Sequence, residues 1–444
     1  SSLMSKSNFF GGLIKTNPTL PTANSGANYG VASGVWNLEE ALAFRKAGDW
    51  PIPASAPGAP SIGTATAGNA SVSVAFTANA DDGGLTPTFT ATSNPSSITG
   101  SASSSPITVS GLTNGTAYTF TVTATNSAGT SSASSASNSA TPQVPDTALF
   151  YGGNGSLSPY ANQSAIYERD ITSLGNASGF GNLTTGALTY MASAASSSTR
   201  AVAGGGYNSS GQYKNDLQYM TYSSSGNSTD FGDLTQGRSM ATGGGNSTRG
   251  LYYAGVLGPR SQVIDYITIA STGNATDFGD TLSYGQSGGA TYADTTYFFH
   301  AAGDWGYTGG RIATVRRCTI ATTGSETNWT ALTESRENCQ GASNSTYGIV
   351  GGGTNASAVN KIDRHTMSSS GSTTDFGDMT ENRSAYACAS NSTRVLFAGG
   401  NENASGNNNK IMYVTIASTG NTADFGTVAT THRWGGCSNA HGGL

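Results

Sequence analysis

The phrase Ile267-Thr-Ile-Ala-Ser-Thr-Gly273-Asn-Ala-Thr-Asp277-Phe278-Gly279 returns almost letter for letter as Val414-Thr-Ile-Ala-Ser-Thr-Gly420-Asn-Thr-Ala-Asp424-Phe425-Gly426. Weaker copies are centred on Gly175/Phe180, Gly226/Phe231, Gly324/Trp329 and Gly371/Phe376. In every copy the aromatic follows the glycine by five positions, and the six aromatics stand 51, 47, 51, 47 and 49 residues apart. A unit that recurs every ~50 residues and holds only short strands cannot bury its own apolar face, so the pattern predicts a propeller array.

The last unit reads as four strands: a, Ser384–Ser390; b, Arg394–Gly400; c, Ile411–Ala417; d, Thr422–Gly426. Asn-Ser-Thr and Ser-Thr-Gly-Asn fill the a–b and c–d turns, and both are rich in residues that cap their own backbone. Strand b closes on Gly152-Gly153, Gly205-Gly206, Ala254-Gly255, Ala302-Gly303, Gly352-Gly353 and Gly399-Gly400, which makes six units. The first unit opens directly on a strand b, Ala148–Tyr151, whereas Trp434–Ser438 is a strand a with no partner after it. The two segments are therefore expected to complete one blade, closing the ring and removing its free edge.

Composition agrees with short strands and tight turns. Of the 444 residues only 10% are charged and 36% hydrophobic, and 61 are glycine. With 20 Lys plus Arg and a net charge of −5 the chain is not built for nucleic acid, which needs a cationic surface. No stretch is apolar enough over enough residues to span a bilayer, and Ser1–Lys15 lacks the apolar run of a secretion signal. Four cysteines without a Cys-x-x-Cys pair argue against a disulfide scaffold or a zinc site. Sequons such as Asn227-Ser-Thr, Asn246-Ser-Thr and Asn391-Ser-Thr read as turn chemistry rather than as glycosylation sites.

Residues 1–56 form a leader. Asn37–Gly48 reads as a short helix capped by Asn37 and flanked by Trp36 and Trp50, either a lid on this chain or an attachment segment. Residues 57–143 alternate with period two in Ser71–Phe76, Thr86–Ala91, Ile107–Leu112 and Ala117–Ala124. This stretch resembles a bacterial fibronectin type III domain in Pro57-Gly-Ala-Pro60, in Gly111–Tyr118 with Tyr118 as the tyrosine corner, and in Asn126–Gly129; Phe76 stands where that family has a core tryptophan. Such modules act as spacers.

Residues 144–444 resemble the kelch family of β-propellers, with Gly-Gly ending strand b and aromatics in strands c and d. The expected fold is thus all-β: a fibronectin type III-like sandwich, then a six-bladed kelch-like propeller closed by its last strand. Arginines recur seven positions after the d aromatic, at Arg238, Arg336 and Arg383, with His432 and Arg433 in the last unit. Placed on the face of the b–c loops, they read either as a ring that takes an acidic or hydroxyl-rich ligand or as ties between blades. Tyr160, Tyr207, Tyr213, Trp305 and Tyr307 lie in those loops, where exposed rings stack on sugar faces. Cys339, Cys388 and Cys437 share one repeat position, as thiols for a soft metal or as small residues in a crowded wall; Cys318 reads as core. His300, His365, His432 and His441 show no metal-ligand spacing, no hydrolase or phosphate motif is present, and neither an enzyme activity nor a cofactor is expected.

The whole chain resembles virion proteins of tailed bacteriophages, notably those of marine cyanobacteria, most specifically in Gly34-Val-Trp-Asn-Leu-Glu-Glu and Arg45-Lys-Ala-Gly-Asp-Trp-Pro51, then in the Thr-Ile-Ala-Ser-Thr-Gly-Asn phrases. The resemblance implies a structural tail or head appendage in the virion. Its leader would dock on other virion proteins, and its many-copy propeller would adhere to host-surface polysaccharide. A decoration protein without ligand and a secreted carbohydrate-active enzyme with a fibronectin-type spacer are the alternatives.

Overall fold

The computed structural model describes residues 54–444, apart from 153, 156–160, 163, 185–192, 209, 283–285, 306–309, 403–405 and 430–434. The helix expected over Asn37–Gly48, with Trp36 and Trp50, lies outside the described residues, as do Trp434, His432 and Arg433. Every regular element that is described is a strand. The chain divides into two compact units, Ser1–Pro145 and Asp146–Leu444.

In the first unit two antiparallel sheets carry period-two burial. One is Ser61–Gly68, Ser71–Thr77 and Ile107–Ser110; the other is Thr99–Ala102, Thr88–Asn94, Thr119–Asn126 and Gly129–Thr130. Val72, Val74 and Phe76 meet Phe89, Ala91, Phe120 and Val122 in one core, with the Phe76 and Phe89 rings 4.6 Å apart. The Tyr118 hydroxyl accepts the Thr113 amide at 3.1 Å, the bond expected of a tyrosine corner. The serine-rich run that follows steps by three residues. Ser131, Ser134 and Ser137 each donate a backbone N–H to strand Thr119–Asn126, and each hydroxyl accepts an N–H back, at 2.9–3.0 Å. A low-complexity sequence therefore serves as an edge whose period is that of an extended polyproline-like chain.

The second unit contains six four-stranded antiparallel sheets. In order from strand a to strand d, sheet II is Ser193–Ser196, Arg200–Gly204, Asp216–Thr221, Thr229–Asp233, and sheet III is Thr242–Gly245, Arg249–Tyr253, Val263–Thr268, Thr276–Asp280. Sheet IV is Ala290–Ala293, Tyr297–Ala301, Thr314–Thr319, Thr327–Ala331, and sheet V is Gln340–Ser343, Tyr347–Gly351, Lys361–Thr366, Thr374–Asp378. Sheet VI is Ala387–Ser390, Arg394–Ala398, Lys410–Thr415, Ala423–Thr427. Sheet I takes strands b to d from Thr147–Tyr151, Ala165–Asp170 and Ser178–Asn182, and strand a from Gly435–Ser438. Cys437 pairs with Leu149 and Ser438 with Ala148, so the strand supplied from the far end of the unit does join the first three. Even the missing turn is copied: Asn439 Oδ1 accepts the Thr147 amide at 2.7 Å, as Asn391 Oδ1 accepts the Arg394 amide at 2.7 Å inside sheet VI.

The repeated phrase is the joint between sheets. In the c–d turn the glycine N–H donates to the carbonyl of the preceding sheet's aromatic: Gly273 to Phe231 at 2.7 Å, Gly324 to Phe278 at 2.9 Å, Gly420 to Phe376 at 2.9 Å, and Gly175 to Phe425 at 2.8 Å. The asparagine after that glycine accepts the N–H two residues past the aromatic, Asn274 from Asp233 and Asn421 from Asp378, and Asn176 accepts from Thr427 between sheets VI and I. The glycine following the aromatic has no room for a side chain, since a Cβ on Gly279 would lie 2.8 Å from the Gly324 carbonyl oxygen. Its φ of +143° is also a conformation L side chains avoid. A Gly279→Val variant is expected to lower the melting temperature by several degrees through clash and backbone strain, measured by scanning calorimetry.

The pair that ends strand b divides its roles. The first member has φ of 48–68°, which Ala254 and Ala302 adopt as well as glycine; the second has φ of 100–114° and is glycine in each described case. Further out, Arg200, Arg249 and Arg394 at the start of strand b lie over Tyr219, Tyr266 and Tyr413 of strand c, at 4.3, 4.3 and 5.1 Å. In sheets IV and V the two residue types exchange strands, Arg317 covering Tyr297 and Arg364 covering Tyr347. The contact is kept because the two positions face each other diagonally across the b–c pair.

Two histidines lie among the core aromatics of this unit. His300 stacks on Tyr253 at 4.0 Å and His365 Nδ1 meets the Tyr292 hydroxyl at 3.2 Å. Burial, with the Arg316 charge, pushes His300 down to about 3, and burial pushes His365 down to about 4. Both are neutral in the fold and take up a proton near pH 6.5 when unfolded. Stability is therefore fully present above about pH 6.5 and falls as the pH drops toward 4, by about 1.4 kcal/mol per unit for each histidine. Thermal melts between pH 7.5 and 5 are expected to show this slope, reduced in His365→Gln.

Candidate functional site

The two ends of the sheets differ sharply in what they can present. At one end the a–b and c–d turns are short and spend their side chains on their own backbone and on the neighbouring sheet. Asn246 Oδ1 accepts the Thr248 and Arg249 amides, Asn344 the Thr346 and Tyr347 amides, and Asn391 the Thr393 and Arg394 amides. The Asn246 and Asn391 sequons are thus occupied as turns, and Asn391 also donates to Asp146, just before sheet I, at 2.9 Å.

At the other end the b–c connections fold into a second tier of small β-structures. Asn154–Gly155 pairs with Ala161–Asn162, Tyr207 bridges Tyr213, and Val256 bridges Arg260. Asp304–Trp305 pairs with both Gln286–Ser287 and Gly310–Arg311, Thr354–Asn355 with Ser357–Ala358, and Asn401–Glu402 with Gly406–Asn407. Bridges from Ser239 to Val256, Glu337 to Thr354 and Ser384 to Asn401 tie the d–a connections into the same tier. This loop face is where the chain has extended, hydrogen-bonded surface to offer a ligand.

Of the aromatics expected there, the structure brings two together. Tyr207 and Tyr213 are half-buried and meet edge to face, with ring centroids 5.1 Å apart. Asn208 holds the hairpin tip, accepting the Ser210 and Gln212 amides and donating to Gln212 Oε1 at 3.0 Å. The backbone of Trp305 pairs with Gln286 and Gly310. Tyr160 and Tyr307 lie outside the described residues.

The arginine register is corrected. Arg238, Arg336 and Arg383 are all fully buried and cannot form a ligand-receiving ring at the surface. Each fastens one sheet to the next, the alternative the repeat spacing left open. The carbonyls of all three accept the second strand-b glycine of their own sheet, from Gly206, Gly303 and Gly353. Their guanidinium groups reach the following sheet: Arg238 to the Tyr252 carbonyl and, at 2.7 Å, Asp265; Arg336 to the Val350 carbonyl and, at 2.7 Å, Asp363; Arg383 to the carbonyls of Gly399 and Lys410. Sequence spacing located the residues, but burial is a property of the assembled sheets.

Several charges described on the loop face are paired with one another. Arg260 meets Asp304 between the loops of sheets III and IV, Arg311 meets Glu337 at 3.1 Å, Lys214 meets Asp216 at 3.2 Å, and Lys410 and Arg383 share Glu381. These ion pairs were not anticipated, because their partners are 2 to 44 residues apart with no common register. At these pairs the charges cancel locally, which leaves hydroxyl and amide groups as the contacts to offer.

The six a strands adjoin in cyclic order, sheet I beside both II and VI, and line a cavity of about 60 Å³. A belt of hydroxyls links them. Ser196 donates to the Ser438 carbonyl, Ser438 to Ser390, Ser390 to Ser343, Ser343 to Ala293, and Thr291 to Gly243. Cys388 and Cys437 line this cavity, whereas Cys339 and Cys318 are buried elsewhere. Burial pushes Cys437 up to about 12 and Cys388 higher still, so both are neutral thiols at pH 7. Among the described residues no group of three or more His, Cys, Asp or Glu side chains could hold a metal. The Tyr222 hydroxyl donates to Cys437 at 3.4 Å, which fits the packing role.

No family model and no curated protein matches this chain. Among solved structures it is similar to one titled "Structure of YjhT", with a TM-score of 0.51 at 13% identity over 63% of this chain and 97% of that one. At that identity the likeness concerns the fold alone. It agrees with a β-rich, propeller-like arrangement of antiparallel sheets.

Proposed function

We propose that Asp146–Leu444 is a six-bladed kelch-like β-propeller carried on a fibronectin type III-like spacer. In this reading the chain is a non-enzymatic virion appendage protein of a tailed bacteriophage whose loop face adheres to host-surface glycan. The propeller reading is supported by six like sheets, by strand a of sheet I arriving from residues 435–438, and by the cyclic order of the a strands around one cavity. The spacer reading is supported by the two-sheet sandwich and the Tyr118–Thr113 bond. The phage reading rests on the leader and repeat phrases of the sequence.

The observation that carries the adhesive role is the asymmetry of the two ends: short turns bonded to their own backbone and to the next sheet at one, and at the other a tier of hairpins with several ions already paired and a Tyr207–Tyr213 ring pair on a braced tip. A neutral, polyhydroxylated ligand fits such a surface better than an anion, since stacking and amide hydrogen bonds need no free cation. Weak single-site affinity would be raised by many copies on one particle.

Binding of the full chain to an array of bacterial surface polysaccharides is the test. Retention of a subset is expected, with an affinity loss on the order of tenfold in Tyr207→Ala/Tyr213→Ala. An array on which the multivalent chain retains nothing would leave the architectural role. Locating the chain in a particle reconstruction checks the virion assignment separately.

A further inference from the structure

Beyond its strand Gly435–Ser438, the chain does not turn away from the ring. Residues 439–444 run across the end of the axial cavity on the a–b turn side. The Asn439 amide donates to the Thr147 carbonyl of sheet I at 3.2 Å, and the Gly442 amide to Ser343 of sheet V at 2.9 Å. Gly443 accepts the Ser247 amide of sheet III at 3.2 Å, and His441 Nε2 meets the Ser196 carbonyl of sheet II at 3.0 Å. In the cyclic order of the sheets II and V are opposite one another, so the segment spans the ring rather than skirting it.

Its two glycines are seated without spare volume. A Cβ on Gly442 would overlap the Asn344 carbonyl, and one on Gly443 the Gly245 carbonyl. His441 itself lines the cavity. Its Nδ1 accepts the Gly443 amide at 3.1 Å, so the ring is neutral and Nε2 carries the hydrogen donated to Ser196. Each bond in the crossing is to a backbone group, and no charge takes part.

We propose that residues 439–444 are a strap that seals the turn-side end of the axial cavity, so that small molecules do not reach the cavity wall from that end. The four buried cysteines make the seal measurable. Cys388 and Cys437 line the cavity and report on the seal; Cys318 and Cys339 do not line it and report on opening of the fold.

The experiment is alkylation of the full-length chain by a small neutral thiol reagent at pH 8, read residue by residue by mass spectrometry, in the native protein, in Gly443→Val and in the milder His441→Ala. The expected result is a rise of at least about tenfold in the rates at Cys388 and Cys437 with those at Cys318 and Cys339 unchanged, as for a local rather than global opening. Unchanged rates at Cys388 and Cys437 in both variants would overturn the seal. A parallel rise at all four thiols in both would overturn it too, because the segment would then be part of the cooperative fold and not a strap upon it.

Discussion

Truncation of Asp363 to alanine is expected to destabilise the Asp146–Leu444 unit by about 3–5 kcal/mol. Arg336 and Asp363 lie 2.7 Å apart with side chains at most 1% exposed. Arg336 Nη2 also donates to the Val350 carbonyl, and the Thr333 hydroxyl donates to the carboxylate at 2.7 Å. Glu334 pairs with the other end of the guanidinium at 3.7 Å, but its side chain is 26% exposed and makes the weaker partner. Removing the carboxylate leaves a buried cation with one carbonyl and one longer, partly exposed ion pair, too little to offset its desolvation. Removing both charges is a different matter, since two apolar side chains of similar volume carry no such penalty. The chain already holds half of that replacement: in sheet VI Met412 stands where Asp363 and Asp265 stand in their sheets, and Arg383 there turns to the Gly399 and Lys410 carbonyls and to Glu381. Chemical denaturation of Asp363→Ala beside Arg336→Met/Asp363→Met decides the point. A single variant costing under about 1 kcal/mol would mean that water reaches the pair.

Removal of residues 435–444 is expected to have a larger effect, loss of cooperative folding of the second unit. Leu149, Phe150 and Tyr151 are fully buried, and Cys437 shares a core with Leu149 and Tyr151. Without strand Gly435–Ser438 this apolar strand becomes an open edge, a template for pairing with another copy. The hydroxyl belt also breaks at Ser438, which bridges Ser196 and Ser390. Sedimentation and hydrogen exchange should find an aggregating species with weak protection throughout sheets I, II and VI. A truncated chain that stays monomeric with an unchanged melting transition would show that each sheet is stable without closure. Asn439→Ala tests the same joint gently: it deletes the bond that replaces the missing turn, at a cost of about 1 kcal/mol.

Much of this architecture was legible because the joints are written in residues with narrow backbone or hydrogen-bonding roles. Gly273-Asn274 and Phe278-Gly279 recur at fixed spacing since each copy must meet its neighbour's backbone at hydrogen-bond distance. That constraint acts on the main chain, so it survives drift elsewhere in the repeat. The a–b turns were equally readable, as Asn391-Ser-Thr393 is self-capping whatever surrounds it.

What surrounds each residue is another kind of fact. The recurring Arg238, Arg336 and Arg383 look the same in sequence whether they point to solvent or to Asp265 and Asp363; only the stacking of consecutive sheets puts them out of reach of water. The exchange of Arg317 and Tyr297 between strands b and c leaves no register to count, because the contact is conserved in space rather than in position. The sequence by itself determined the repeat length, the strand order and the pairing of residues 435–438 with residues 148–151, since these follow from local backbone chemistry repeated along one chain. Tertiary structure alone decided which cations are buried, how the loop-face ions pair, and that residues 439–444 cross the cavity, since each of these depends on distances between sheets that no single repeat contains.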